Sequence, residues 1–247
     1  MVYAKLAGME TPLSSTIPFA APAIPLPPVR MSHLTPTTAG HFPGRWIRSA
    51  SLKVAAGESL PRWTVDRAIY HLSLHLADAV PVSERERWRE IRNDLASLAR
   101  REGRTMTADE RELLKSAYGE RIERYLAQGN GSCLLREPGV AETVADVLEG
   151  GNGQDYALHM WCVMPNHLHI LVGFEQAEDV SHTIGLWKRV SAHRINRVLL
   201  RRGTVWMRDA YTRIIRTADE YRRQLSYVWV NPEKSGLTSG FLRRRYV

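Results

Sequence analysis

The chain has 247 residues, of which 44% are hydrophobic and 24% are charged, as in a soluble globular protein with one core. No stretch approaches the roughly 20 apolar residues that a membrane-spanning helix needs, and no basic start leads into an apolar secretory signal. We therefore expect a cytoplasmic protein that has no membrane partner.

Net charge indicates the kind of partner to expect, and cysteine content indicates which crosslinks and metal sites to expect. Lysine and arginine number 34 against 26 acidic residues, and the net charge of +8 favours an anionic partner such as nucleic acid, although many basic proteins bind none. The two cysteines, Cys133 and Cys162, form no CxxC pair, which argues against a disulfide framework and a cysteine-based zinc site.

The first 60 residues differ from the rest of the chain. They are rich in Pro, Ala, Ser and Thr and lack hydrophobic periodicity, so they cannot bury enough apolar surface to offset the entropy lost on ordering. We predict a disordered tail over residues 1–60, able to hold at most a short paired segment, and one folded domain over residues 61–247.

The folded domain is predicted to open with a strand at residues 68–76. Apolar side chains alternate with polar ones along it, so one face suits a core while the other is polar. The polar face carries His71, Ser73 and His75.

Hydrophobic periodicity, capping boxes and turn residues predict the remaining elements in chain order. They are helices at 83–101, 107–128 and 139–149, strands at 155–164 and 167–174, a helix at 181–201, a strand at 211–216 and a helix at 217–230. The first two helices form an insertion over residues 82–129. This order predicts an α+β fold with a ferredoxin-like antiparallel sheet and helices on one face.

The strand at 167–174 carries the first candidate site. His167 and His169 are two residues apart, so their side chains project from the same face, while the opposite face is continuously apolar. Two adjacent imidazoles can share one cation. Surface histidines that happen to alternate have the same spacing, so this pair alone does not establish a metal site.

The last predicted helix carries the second candidate site. Tyr227 and Asn231 are four residues apart, hence on one face of the helix, and Pro232 is expected to stop the helix at Asn231. An amide oxygen held at a helix end can act as a hard ligand for a cation, with the phenol one turn back beside it. A tyrosine in this position is otherwise an ordinary amphipathic core residue.

Two other tyrosines compete for the role of nucleophile. Neither Tyr211 nor Tyr221 has an amide side chain four residues further on, because those positions hold Ile215 and Leu225. The pattern therefore favours Tyr227.

Together the two motifs resemble the HUH-type single-tyrosine transposases and, among them, the REP-associated tyrosine transposases of bacteria. The resemblance rests on the segments 164–169 and 227–232, with further matches between residues 62 and 240. It implies that Tyr227 is the nucleophile and that a divalent metal ion, Mg²⁺ or Mn²⁺, is bound by His167, His169 and Asn231. Imidazole ligands by themselves favour Mn²⁺ or zinc over Mg²⁺, so the metal stays open.

The implied activity is the nicking and rejoining of single-stranded, hairpin-bearing DNA by a transposase catalytic domain at 61–247, acting as a monomer or a homodimer. A tyrosine hydroxyl, whose pKa is near ~10, is a poor nucleophile until it is activated or aligned. A bound metal ion can polarise the scissile phosphate. Attack would give a 5′-phosphotyrosine on Tyr227, which keeps the bond energy and allows rejoining without ATP.

The DNA-binding surface is predicted between residues 188 and 216, a stretch in which Asp209 is the only acid. Part of it forms a basic face along the helix at 181–201, for which an ordinary solvated helix face is the alternative. The residues assigned to DNA are Lys188, Arg189, Arg194, Arg197, Arg201, Arg208, Arg213 and Arg216.

Two other functions fit parts of this pattern. A catalytically silent, domesticated nucleic-acid-binding protein would keep the fold, but it would not need both motifs intact. A histidine-triad-like nucleotide hydrolase would need a third alternating histidine, and position 171 is a leucine. A measurement of DNA cleavage separates the silent protein from a transposase.

Overall fold

Two short strands, β1 (Lys53–Ala55) and β2 (Arg62–Thr64), pair antiparallel at the start of the computed structural model. The structure describes residues 53–55, 62–107, 110, 119 and 121–247. The predicted disordered tail therefore lies mostly outside the described residues, and β1 is a short paired segment within it.

Five further strands form a second, antiparallel sheet in the order β6-β3-β5-β4-β7. They are β3 (Ala68–His75), β4 (Ala157–Val163), β5 (His167–Phe174), β6 (Tyr211–Ile215) and β7 (Leu242–Arg245). Counted by their order along the chain, β3, β4, β5 and β6 are the first to fourth strands of this sheet. They lie side by side in the order fourth, first, third, second, as in a ferredoxin-like fold. The sequence predicts no strand at β7.

The helices lie close to their predicted positions. They are α1 (Val82–Arg101), α2 with described residues 121–127, α3 (Val140–Glu149), α4 (Ala177–Val198) and α5 (Ala218–Lys234). The capping box predicted before α2 is present, because the Glu110 amide donates to Thr107 Oγ1 and the Thr107 amide donates to a Glu110 carboxylate oxygen. Within the part of the chain that the structure describes, no helix is both long and apolar enough to cross a membrane.

The two faces of the large sheet have different partners. On the apolar face, strand residues such as Leu72 and Ile170 are fully buried and belong to one core cluster with Val144 of α3 and Trp187 of α4. The α+β class with an antiparallel sheet is confirmed, and the helices that cover this face are α3 and α4.

Helix α5 lies across the opposite face of the sheet. Its Leu225 and Val228 belong to a separate, smaller apolar cluster with Met160, Leu171 and other strand residues. The histidine-bearing face of β3 and β5 is therefore the face on which α5 is packed.

The end of α5 departs from the sequence prediction. Pro232 is expected to stop the helix at Asn231, but α5 continues through both residues to Lys234. Proline lacks its own N–H and only disfavours helical geometry in the residue before it. In the last turn one missing bond is tolerated, and the Ser235 amide still donates to the Asn231 carbonyl oxygen at 3.0 Å.

We predict that Ile170→Ala lowers the free energy of unfolding by about 2–5 kcal/mol, because it leaves a cavity beneath the strand that carries the histidines. Urea unfolding followed by tryptophan fluorescence measures this loss. The matched control is Val82→Ala at the start of α1, where 57% of the residue is exposed and the change should stay within about 0.5 kcal/mol. Equal losses in the two variants would contradict the assignment of this core.

Candidate catalytic centre

Register between β3 and β5 gathers polar side chains on one face of the sheet. His75 lies opposite His167, and Ser73 lies opposite His169. The ring centroids of His167 and His169 are 4.8 Å apart, and those of His71 and His169 are 5.2 Å apart. All five side chains are buried. Alternation in two paired strands thus produces a continuous histidine-rich surface under α5.

The orientation of His167 is fixed by the residue before it. The Asn166 amide nitrogen donates to the carbonyl oxygens of Leu126 and Asn130 at 3.1 and 2.9 Å, which turns the amide oxygen toward His167 Nδ1 at 2.7 Å. Because that oxygen can only accept, Nδ1 carries the proton and Nε2 carries the lone pair. His167 Nε2 is buried and has no hydrogen-bond partner among the described residues.

The imidazole of His169 is also oriented by contacts, and these involve both of its ring nitrogens. Its Nδ1 lies 2.8 Å from Ser73 Oγ and 3.1 Å from His71 Nε2. Its Nε2 lies 3.0 Å from the side-chain nitrogen of Asn231. With its proton on Nδ1, His169 can donate to Ser73 or His71, and the lone pair of Nε2 then points toward Asn231 of α5.

Helix α5 brings the two residues of the second motif to this surface. Asn231 is buried, and rotating its amide by half a turn would place the oxygen where the nitrogen now meets His169. Tyr227 lies one turn earlier, with its ring centroid 5.4 Å from that of His169 and 5.7 Å from that of His71. The two motifs that the sequence singles out therefore meet in space.

Glu123 of α2 is a member of the site that sequence reasoning missed. The Tyr227 hydroxyl donates to Glu123 Oε2 at 2.9 Å, and the same oxygen lies 3.5 Å from His169 Nε2. The contact joins residues 104 positions apart and brings the predicted helical insertion over residues 82–129 to the site. The available signal is weak, because Ile122 and Leu126 at helical spacing mark only the buried side of α2.

Burial sets the protonation of this site. It lowers the pKa of His169 to about 3 and, with the nearby His169 and His75, holds the pKa of His167 well below its usual value. Both imidazoles are therefore neutral near pH 7, as metal ligands must be. Burial raises the pKa of Glu123 to about 7 against the lowering effect of the hydrogen bond from Tyr227. Burial and the Glu123 carboxylate raise the pKa of Tyr227 well above 10.

These donor atoms fit a divalent cation. One ligand atom from each of Glu123, His167 and His169 lies within 4.8 Å of the other two, and His167 Nε2 is otherwise unsatisfied. Imidazole nitrogens with a carboxylate suit Mn²⁺ or zinc better than Mg²⁺. The Asn231 amide contacts His169 Nε2 and so lies beside the same space.

The competing tyrosines have other surroundings. Tyr221 is hydrogen-bonded to His159 Nδ1 at 2.7 Å, away from the histidine pair. Tyr211 on β6 has its ring centroid 6.4 Å from that of His71. Of the three, Tyr227 has the hydroxyl bound to Glu123 beside His169.

The residues assigned to DNA fall into two groups. Lys188 donates to the carbonyl oxygens of Met207, Arg208 and Asp209 at 2.8 to 3.0 Å, and Arg213 pairs with Glu220 at 2.8 Å. Those two cations organise the protein itself. Arg201 is partly buried, and the exposed members besides Arg213 are Arg189, Arg194, Arg197, Arg208 and Arg216.

Comparison with known proteins agrees with the class that these motifs indicate. Residues 137–225 match the family model described as IS200-like transposase, a segment that includes the histidine pair and ends two residues before Tyr227. The match confirms the predicted resemblance to the single-tyrosine transposases over less than half of the chain.

A more particular likeness is to a solved structure described as a REP-associated tyrosine transposase bound to a REP hairpin. The two share 14% sequence identity, with a TM-score of 0.39, over 71% of this chain and 72% of the other. A search among curated proteins gives no match.

We predict that His159 makes the fold acid-sensitive. Burial lowers its pKa to about 4, against about 6.5 in the unfolded chain. Between these values the unfolded chain binds more protons, so the free energy of unfolding falls as the pH drops through this window, by at most about 1.4 kcal/mol per pH unit from this group.

Denaturant unfolding of His159→Gln from pH 7 to 4, with a chelator present, measures the contribution. The variant should lose stability less steeply than the parent protein, whereas His182→Gln, at an exposed position, should follow the parent. Parallel curves for all three proteins would show that His159 does not titrate in this way.

Proposed function

We propose that this protein is a metal-dependent transposase-type endonuclease that cleaves and rejoins single-stranded, hairpin-bearing DNA through Tyr227. The observation that carries the proposal is the convergence of the Tyr227 hydroxyl, His169 and Glu123 within 2.9 to 3.5 Å contacts. The IS200-like segment over residues 137–225 supports the same class of activity. The hairpin substrate follows from the resemblance to REP-associated transposases.

His167 and His169 would hold the metal through Nε2, with the Asn231 amide oxygen and the Glu123 carboxylate available to complete the ligand set. When bound, the cation polarises the scissile phosphate and offsets negative charge on its oxygens. Asn166 and Ser73 would orient the two imidazole ligands without binding the metal themselves. Their hydrogen bonds to the Nδ1 atoms would direct both Nε2 lone pairs toward the same space.

In the proposed reaction the phenolic oxygen of Tyr227 attacks the scissile phosphorus. The bond from phosphorus to Tyr227 forms as the bond to the 3′-oxygen breaks, and the leaving oxygen takes up a proton to become a 3′-hydroxyl. Glu123, 2.9 Å from the phenol, is placed to accept the phenolic proton. The raised pKa of Tyr227 means that little phenolate exists before substrate binds, so this proton acceptor matters.

Rejoining is the reverse reaction with another strand. The 5′-phosphotyrosine is a phosphodiester, so a second 3′-hydroxyl can attack it, restore a DNA linkage and release Tyr227. No nucleotide cofactor is required. The exposed arginines of α4 and the segment that follows it would hold the DNA backbone.

We predict that wild-type protein, incubated with Mn²⁺ and a 3′-labelled single-stranded hairpin, forms a labelled covalent adduct that survives denaturing electrophoresis. Tyr227→Phe should form none, because the attacking oxygen is gone. Tyr211→Phe and Tyr221→Phe are matched controls and should keep the adduct. An adduct in Tyr227→Phe would exclude this nucleophile, and DNA binding by the wild type without any adduct would favour the catalytically silent alternative.

We predict that His167→Ala and Glu123→Ala weaken Mn²⁺ binding, measured by isothermal titration calorimetry, by more than about tenfold. Loss of an outer-shell partner already costs about 10–100-fold, and these residues would be ligands themselves. The control for the carboxylate is Glu175→Ala, which removes an exposed acid at the far end of β5. Unchanged affinity in Glu123→Ala would leave this residue with the proton-accepting role alone.

A further inference from the structure

Leu200 lies almost wholly in solvent just after α4. The residue is 95% exposed, the highest value among the exposed large hydrophobic residues that the structure describes. Its backbone φ is 49°, the left-handed conformation in which helices commonly end. The end of α4 therefore presents an apolar side chain to solvent.

Hydrogen bonds hold the segment around Leu200 in one shape. The Leu200 and Arg201 amides donate to the carbonyl oxygens of Arg197 and Asn196 at 3.3 and 2.9 Å. The Asn196 side chain donates to the Gly203 carbonyl oxygen at 2.8 Å and so closes the loop over residues 197–203. The leucine is therefore presented by a braced turn.

The surroundings of this leucine are basic. Arg197 and Arg202 are exposed on either side of it, and Arg201 lies next to it. Residues 180–208 contain seven lysines and arginines and no aspartate or glutamate. An exposed leucine surrounded by positive charge suits a partner that offers phosphates around stacked aromatic rings.

The chain after this loop leads to the catalytic centre. The Ala77 amide donates to the Val205 carbonyl oxygen at 2.8 Å, and the Met207 amide donates to the His75 carbonyl oxygen at 2.8 Å. This pairing runs antiparallel past the end of β3, so residues 199–204 extend beyond the end of the sheet at which His75 faces His167. A nucleic acid gripped there would lie at the same end of the sheet as the histidine pair.

We propose that Leu200 is a wedge that inserts between bases of bound DNA at the junction of duplex and single strand, while the neighbouring arginines hold the adjacent phosphates. This inference rests on the proposed function for the identity of the partner. A junction is the favoured place because unpaired or terminal bases cost least to unstack. Apolar side chains inserted at base steps are an established way for proteins to open a stack.

The test uses full-length protein and a DNA hairpin with 2-aminopurine at the foot of its stem. Wild-type binding should raise the probe's fluorescence, because the base leaves the stack. Leu200→Ser should bind about tenfold more weakly, the effect of losing the burial of one leucine side chain, and without the fluorescence rise. Leu200→Met should restore both, and Val82→Ser, another exposed apolar position, should behave as wild type.

The outcomes separate this inference from the proposed function. Leu200→Ser should still form the covalent adduct on a short strand without secondary structure, so loss of the wedge leaves the chemistry in place. Wild-type affinity and fluorescence in Leu200→Ser would overturn the wedge. So would a change from dimer to monomer in sedimentation with unchanged hairpin binding, because a second copy would then be the partner of Leu200. No adduct from wild-type protein on any strand would instead overturn the proposed function.

Discussion

The antiparallel pairing of β3 with β5 is the constraint on which the site depends. It sets Ser73 against His169 and His75 against His167, and it sends the residues between them, Leu74 and Leu168, to the main core on the opposite face. A slip of one residue would turn the histidines into the main core and the leucines toward α5. The core cluster on the apolar face therefore stabilises the register, and the register positions the imidazoles.

Hydrogen-bond partners of the histidines also help to order the site. Asn166 is 1% exposed, and its amide satisfies two carbonyl oxygens from the end of α2 and the loop after it before it meets His167. The inserted hairpin is thus connected to the site twice, once through this asparagine and once through Glu123. An unsatisfied buried amide is costly, so these bonds fix the insertion and the imidazole together.

The sequence predicts the sheet well because period-two alternation is strong in β3 and β5, and it predicts the meeting of the two motifs only through resemblance. No local sequence pattern around Glu123 predicts its contact with Tyr227, because that contact depends on the path of α2 past the sheet. Strand β7 was missed for a similar reason. Its Arg243 and Arg244 suggest a solvated tail, whereas backbone pairing with β4 and ion pairs to Glu233 and Glu149 place them on the fold.

The two apolar clusters lie on opposite faces of one sheet and differ in size, and α5 packs on the smaller one. Cooperative units of a protein open with separate free energies according to how much apolar surface each one buries. Detachment of α5, the helix that carries Tyr227, from the strands is therefore expected to cost less free energy than unfolding of the whole domain.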